Sequence, residues 1–103
     1  MSESADRFVS VDYEIYGNVQ GVFFRQHTFE RARKVGAVGW VMNTAKGTVK
    51  GTVQGTQKQV ANMRHFLTHE GSPLSRITKY EFTNDRELVK LEYNRFSITA
   101  GDW

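Results

Sequence analysis

From Val9 to Tyr16 apolar and polar residues alternate strictly, with Val9, Val11, Tyr13 and Ile15 set against Ser10, Asp12, Glu14 and Tyr16. A period of two is that of a strand with one buried face. The alternation stops at Gly17. From Arg25 to Gly36 small or apolar residues recur at Thr28, Phe29, Ala32 and Val35, with Arg33 and Lys34 in the last turn and Gly36 beyond it. That spacing and ending predict a helix. Val38, Trp40 and Met42 alternating with Gly39 and Val41 predict a second strand, with Trp40 packed in the core. After a turn over Asn43 to Gly47, a third strand from Thr48 to Gln54 directs Val49 and Val53 inward and leaves Thr48, Lys50, Thr52 and Gln54 on a wet face.

Thr56 followed three residues later by Gln59 is a capping box, and Val60, Met63, Phe66 and Leu67 continue from it at helical spacing. Gly71-Ser72-Pro73 ends this second helix. A further strand is expected from Ile77 to Thr83 with Tyr80 and Phe82 inward, then a loop at Asn84-Asp85-Arg86-Glu87. A last short strand over 95–99 turns Phe96 and Ile98 inward. With right-handed crossovers, this order gives an α+β fold: a ferredoxin-like βαββαβ sandwich, an antiparallel sheet with two helices on one face and a short extra C-terminal strand. It is read as one domain over residues 1–103, with 1–7 as a disordered tail. Such a fold carries enzymes, RNA binders and regulatory modules alike, so function must be sought in a site.

Composition narrows the field. The 103 residues are 39% hydrophobic and 13% aromatic, with no Cys, and no apolar run approaches the roughly 18 residues that cross a bilayer. The first residues carry no basic-then-apolar signal pattern, so a cytoplasmic location without membrane insertion is expected. Nothing in the pattern forces an oligomer, and a monomer is expected. The net charge of +3 is unevenly placed: residues 25–50 hold Arg25, Arg31, Arg33, Lys34, Lys46 and Lys50 against Glu30 alone. That stretch is either a solvated surface or a place for an anion.

Gly17-Asn18-Val19-Gln20-Gly21-Val22 joins the first strand to the first helix, with Arg25 just beyond. Two glycines four apart let the backbone curl into a nest of N–H groups, and a helix N-terminus adds partial positive charge, which suits phosphate. Plain chain geometry is the competing account of the glycines. Arg25 shifts the balance, because a guanidinium binds phosphate oxygens bidentately. Asn43, at the end of the second strand, has an amide that can donate to and accept from a water, although an Asn before a turn is more often only a turn residue.

The run Gly17-x-Val19-Gln20-Gly21-Val22-x-Phe24-Arg25, with Gly39-Trp40-Val41-x-Asn43-x-x-x-Gly47-Thr48-Val49-x-Gly51, resembles the acylphosphatase family, as do Gly71-Ser72-Pro73 and Phe96-Ser97-Ile98. The resemblance spans Val9 to Ile98. Phe23-Phe24 before the arginine, without Cys, resembles the organ-common type more than the muscle type. It implies metal-independent hydrolysis of the carboxyl–phosphate bond of small acyl phosphates, with no cofactor and no metal. In such enzymes the Arg matching Arg25 holds the phosphate together with the loop matching Gly17, Asn18, Val19, Gln20, Gly21 and Val22, and the Asn matching Asn43 orients the attacking water. Since an amide takes no proton near neutral pH, the bound phosphate is implied as the acceptor.

Rival chemistry fares less well. His27 is two residues from Arg25 and, on a helix, ~200° away from it. His65 and His69 are spaced to share a zinc, yet no Glu stands where H-E-x-x-H requires one. A wet sheet face without aromatic residues on the third strand lacks the stacking platform of an RNA recognition module, so no nucleic acid partner is expected. A non-catalytic phosphate-binding module, as in larger carbamoyl-transfer maturation proteins, is the alternative to an enzyme. The chain departs from the family pattern at Thr99-Ala100-Gly101-Asp102-Trp103, where a basic residue is common. If that residue braces the phosphate loop, the brace is either absent here or rebuilt by Asp102 or Trp103.

Overall fold

A computed structural model describes residues 7–100. The elements are β1 (Phe8–Asn18), α1 (Phe24–Val35), β2 (Val38–Asn43), β3 (Val49–Thr56), α2 (Gln57–His65, widening into a π-type turn over Phe66–Glu70), β4 (Arg76–Leu88) and β5 (Phe96–Ile98). One five-stranded sheet has the order β4-β1-β3-β2-β5. Every pairing is antiparallel except that of β2 with β5. The sheet is therefore mixed, and the ferredoxin-like α+β layout stands. Of the expected disordered tail only Arg7 is described, and its guanidinium meets Glu87 at 2.7 Å; the rest lies outside the described residues.

The helix-covered face is built from the alternation in the sequence. Val11, Tyr13 and Ile15 of β1, Val41 of β2 and Val49 and Val53 of β3 are buried, and they pack with Phe24, Ala32, Val60, Met63, Phe66 and Leu67 from the helices. Phe24 is 1% exposed and meets the Phe66 ring at 6.0 Å, fixing the start of α1 to the end of α2. Burial of such a ring contributes about 1.5–3 kcal/mol. Tyr13 donates its hydroxyl hydrogen to the Trp40 carbonyl at 2.9 Å, and burial pushes its pKa above the ordinary tyrosine value.

The opposite face differs from expectation. The chain leaves β4 at one edge of the sheet and enters β5 at the other, so residues 89–95 must cross this face. Glu92 of the crossing segment donates its N–H to Gln54 Oε1 at 2.9 Å and accepts from Gln54 Nε2 at 2.8 Å. Gln54 is consequently buried rather than wet, and so are Thr52, with its hydroxyl on Asp12, and Thr48, with its hydroxyl on Glu14. Trp40 lies on this same face, half-buried, with its indole N–H on Tyr93 Oη, and is not in the core.

Two further expectations are corrected. Asn84 to Glu87 is part of β4, not a loop: the register runs from Phe8↔Leu88 to Asn18↔Arg76. A bulge there admits Asn84 at φ 55, a left-handed conformation that Asn tolerates better than most residues. Tyr80 is half-exposed, and only Phe82 of that pair packs at the margin of the core.

Candidate functional site

β1 and β2 run in the same direction, each antiparallel to β3, so their C-terminal ends lie at the same end of the sheet. Val49 pairs with both Ile15 and Asn43. The three residues form one row on the helix-covered face, which sets Asn43 beneath the turn that joins β1 to α1. Asn43 is 6% exposed, and its Oδ1 accepts no hydrogen bond among the described residues. A buried amide oxygen without a donor is costly, of the order of 1–3 kcal/mol.

Sequence reasoning assigned the loop from Gly17 to Val22, and the structure divides it. Gly17 and Asn18 belong to β1 and pair with Ile77 and Arg76. Gly17 is required by that pairing: at φ 127, a Cβ there would lie 2.1 Å from the Arg76 carbonyl oxygen. The loop proper begins at Val19, whose side chain is 1% exposed and anchors it in the core. Gly21 turns the chain at φ 77. Gln20 points its side chain away from solvent and donates to the Thr44 and Thr48 carbonyls, both at 2.9 Å. It thereby clamps the loop to the turn that follows Asn43.

That turn carries its own network. Thr44 N–H bonds to the Thr48 carbonyl at 2.9 Å, the two hydroxyls meet at 2.6 Å, and Thr48 donates to Glu14 at 2.6 Å. Lys46 adds an ion pair to Glu14 at 3.2 Å. The Thr48 hydroxyl, with Lys46 behind it, holds the Glu14 carboxyl below the usual glutamate range. Sequence reasoning missed Glu14 and both threonines as parts of the site. Glu14 looked like any polar position of an alternating strand, and no local signal told it apart.

α1 starts at Phe23, which adopts φ 65 and supplies no side-chain cap. The first N–H groups of a helix have no intrahelical partner, and Phe23 makes no side-chain cap hydrogen bond to them. No acidic residue lies in the first turn; Arg25 does. Arg25 lines a cavity of about 300 Å³ together with Val19, Gly21, Phe23, Phe24, Gln26 and Ile98. Ile98, expected to face inward, is 40% exposed and borders this cavity from β5. The loop, through Val19 and Gly21, and the start of α1, through Phe23 to Gln26, thus border one cavity where an anion would meet backbone dipoles and a guanidinium, whereas Gly17, Asn18, Gln20, Val22 and Asn43 are not among its lining residues.

The other residues considered lie elsewhere. His27 is half-buried, with Nδ1 2.9 Å from the Phe23 carbonyl. The rings of His65 and His69 stack 5.0 Å apart at the far end of α2. No group of three metal-ligating side chains is found among the described residues. The basic stretch is not a single cationic surface, since Arg31 pairs with Glu70 and Lys46 with Glu14. Asp102 and Trp103 lie outside the described residues. Among those residues no helix is long and apolar enough to cross a membrane.

A family model described as Acylphosphatase matches residues 11–98. Acylphosphatase-2 of Homo sapiens is 53% identical over 95 residues, covering 92% of this chain and 96% of that protein. Acylphosphatase-1 of Xenopus laevis is 53% identical over 90 residues, covering 87% of this chain and 91% of that one. Identity alone does not sort the chain between these two. The crystal structure of acylphosphatase from Bacillus subtilis superposes with a TM-score of 0.79 at 32% identity, over 88% of this chain and 98% of that one.

Proposed function

The chain belongs to the acylphosphatase family and is an enzyme that hydrolyses acyl phosphates, and from that premise we propose that the cavity at the start of α1 is where it does so, without a metal ion. Arg25 and the backbone amides between Gly17 and Val22 hold the phosphoryl group, and Asn43 orients the water. The observation that carries this reading is that Arg25, Val19 and Gly21 of the loop, and the start of α1 line one cavity.

Phosphoryl transfer needs chiefly positioning and stabilisation of charge on the equatorial oxygens. Amide donors and one guanidinium supply both. Asn43, buried with a free Oδ1, accepts a hydrogen bond from the water and turns its lone pair toward phosphorus. Water oxygen bonds to phosphorus, the phosphorus–oxygen bond to the acyl group breaks, and the carboxylate departs with its electron pair. The water proton passes to a phosphoryl oxygen, because the amide of Asn43 takes no proton near neutral pH. A carboxylate is a good enough leaving group to depart without a general acid.

The same reading makes the chain a single-domain cytoplasmic monomer that acts on small molecules and not on nucleic acid. Turnover of benzoyl phosphate in excess EDTA tests it. Hydrolysis that persists supports the proposal, and loss of hydrolysis restored by added divalent metal contradicts it.

A further inference from the structure

Phe23 and Phe24 are neighbours in sequence and opposites in environment. Phe24 is 1% exposed and held against Phe66, whereas Phe23 is 71% exposed. Nor does the backbone ask for an aromatic residue: Phe23 sits at φ 65, where glycine is adopted at less cost. Neither burial nor conformational preference accounts for a phenylalanine in this place, and an outlier of this kind points to a use. Its ring borders the same cavity as Arg25. Ile98 faces it from β5, 40% exposed, and is fixed there by pairing with Val41 and by the Thr99 N–H bond to the Val41 carbonyl at 2.8 Å.

We propose that Phe23 and Ile98 form an apolar platform for the acyl group of the substrate, so that the enzyme favours acyl phosphates whose acyl group is aromatic or bulky and apolar. The inference rests on the reading of the loop and Arg25 as the phosphate site. With the phosphoryl group drawn to the amides and the guanidinium, the acyl group projects toward the mouth of the cavity. There a flat apolar group covers the exposed ring and the Ile98 methyls, removing apolar surface from water. An acetyl group is too small to cover both. A platform that grips the acyl group equally in ground and transition states acts on KM more than on kcat.

The experiment is kcat/KM for benzoyl phosphate and for acetyl phosphate, measured on the full chain and on Phe23→Gly and Phe23→Leu. Differences in intrinsic reactivity cancel when the benzoyl-to-acetyl ratio is compared between variants. The ratio is expected to fall roughly five- to tenfold in Phe23→Gly, through KM for benzoyl phosphate, and to recover in part in Phe23→Leu. Glycine suits φ 65, and the leucine variant preserves the test should the glycine variant fold poorly. A ratio unmoved in both variants, or an equal loss on both substrates, overturns the platform. Failure of the folded, unsubstituted chain to hydrolyse either substrate overturns the phosphate-site reading itself.

Discussion

The first turn of α2 is closed by the chain's own side chains, whereas the first turn of α1 is not. Thr56 Oγ1 accepts from the Gln59 N–H, Gln59 Oε1 accepts from the Thr56 N–H at 2.9 Å, and Gln59 Nε2 donates to the Val35 carbonyl at the far end of α1. Phe23, at the corresponding place before α1, offers no side-chain oxygen. Both helix starts carry the same partial positive charge. At α2 that charge is spent on folding; at α1 it is left facing a cavity beside Arg25. On the proposed reading the start of α1, with Arg25 in its first turn and no side-chain cap from Phe23, serves the ligand, whereas the start of α2 serves stability.

Substitutions at the two ends should therefore separate function from folding. The largest effect is expected for Arg25→Gln, which should lower kcat/KM for benzoyl phosphate by about three orders of magnitude and weaken competitive inhibition by inorganic phosphate. Asn43→Ala should lower kcat about a hundredfold while inhibition by inorganic phosphate persists, since water and not phosphate loses its partner. Full activity in Asn43→Ala would remove that residue from the reaction. At α2 the order reverses: Thr56→Ala should cost about 1 kcal/mol of stability, read as a fall in Tm of about 4–8 °C, and leave the kinetic constants where they were.

The smallest expected effect is a change in the acid limb of stability from Glu14, on the α1 side. Glu14, held down by the Thr48 hydroxyl, has a lower pKa folded than unfolded. Its contribution is complete above the ordinary glutamate range and is lost as pH falls through the folded value. Glu14→Gln should reduce that acid limb in thermal melts across pH 3 to 6, roughly the carboxylate range, and leave the part that Glu70 and Glu92 contribute, held low by Arg31 and Arg86. The capping box at α2 contains no titrating group and should contribute nothing to it.

Most of the fold was legible because each local signal had a local cause. The alternation in β1, the box at Thr56 and the stripe Val60, Met63, Phe66 and Leu67 all report a buried face or a satisfied end. What could not be read was set by distant chain. Gln54 is polar and sits on an alternating strand, yet Glu92 covers it because the connection from β4 to β5 must cross the sheet. Asn84 to Glu87 has the composition of a loop and is drawn into β4 by the start of β1, with Ser10 against Arg86. At the site, Arg25 and Asn43 stood out as residues and Gln20 only as a position in the loop; its side chain proved to join two loops, which no spacing in the sequence announces. Glu14 and Thr48 are 34 residues apart and meet only through the pairing of β1 with β3.

The contrast between the two helix starts is tested most directly by an amide chemical-shift titration with inorganic phosphate. The account predicts saturable shifts at Val19 to Val22 and in the first turn of α1, with the amides of Gln57 to Gln59 unmoved. Shifts of equal size at both helix starts, or none at the loop, would contradict it.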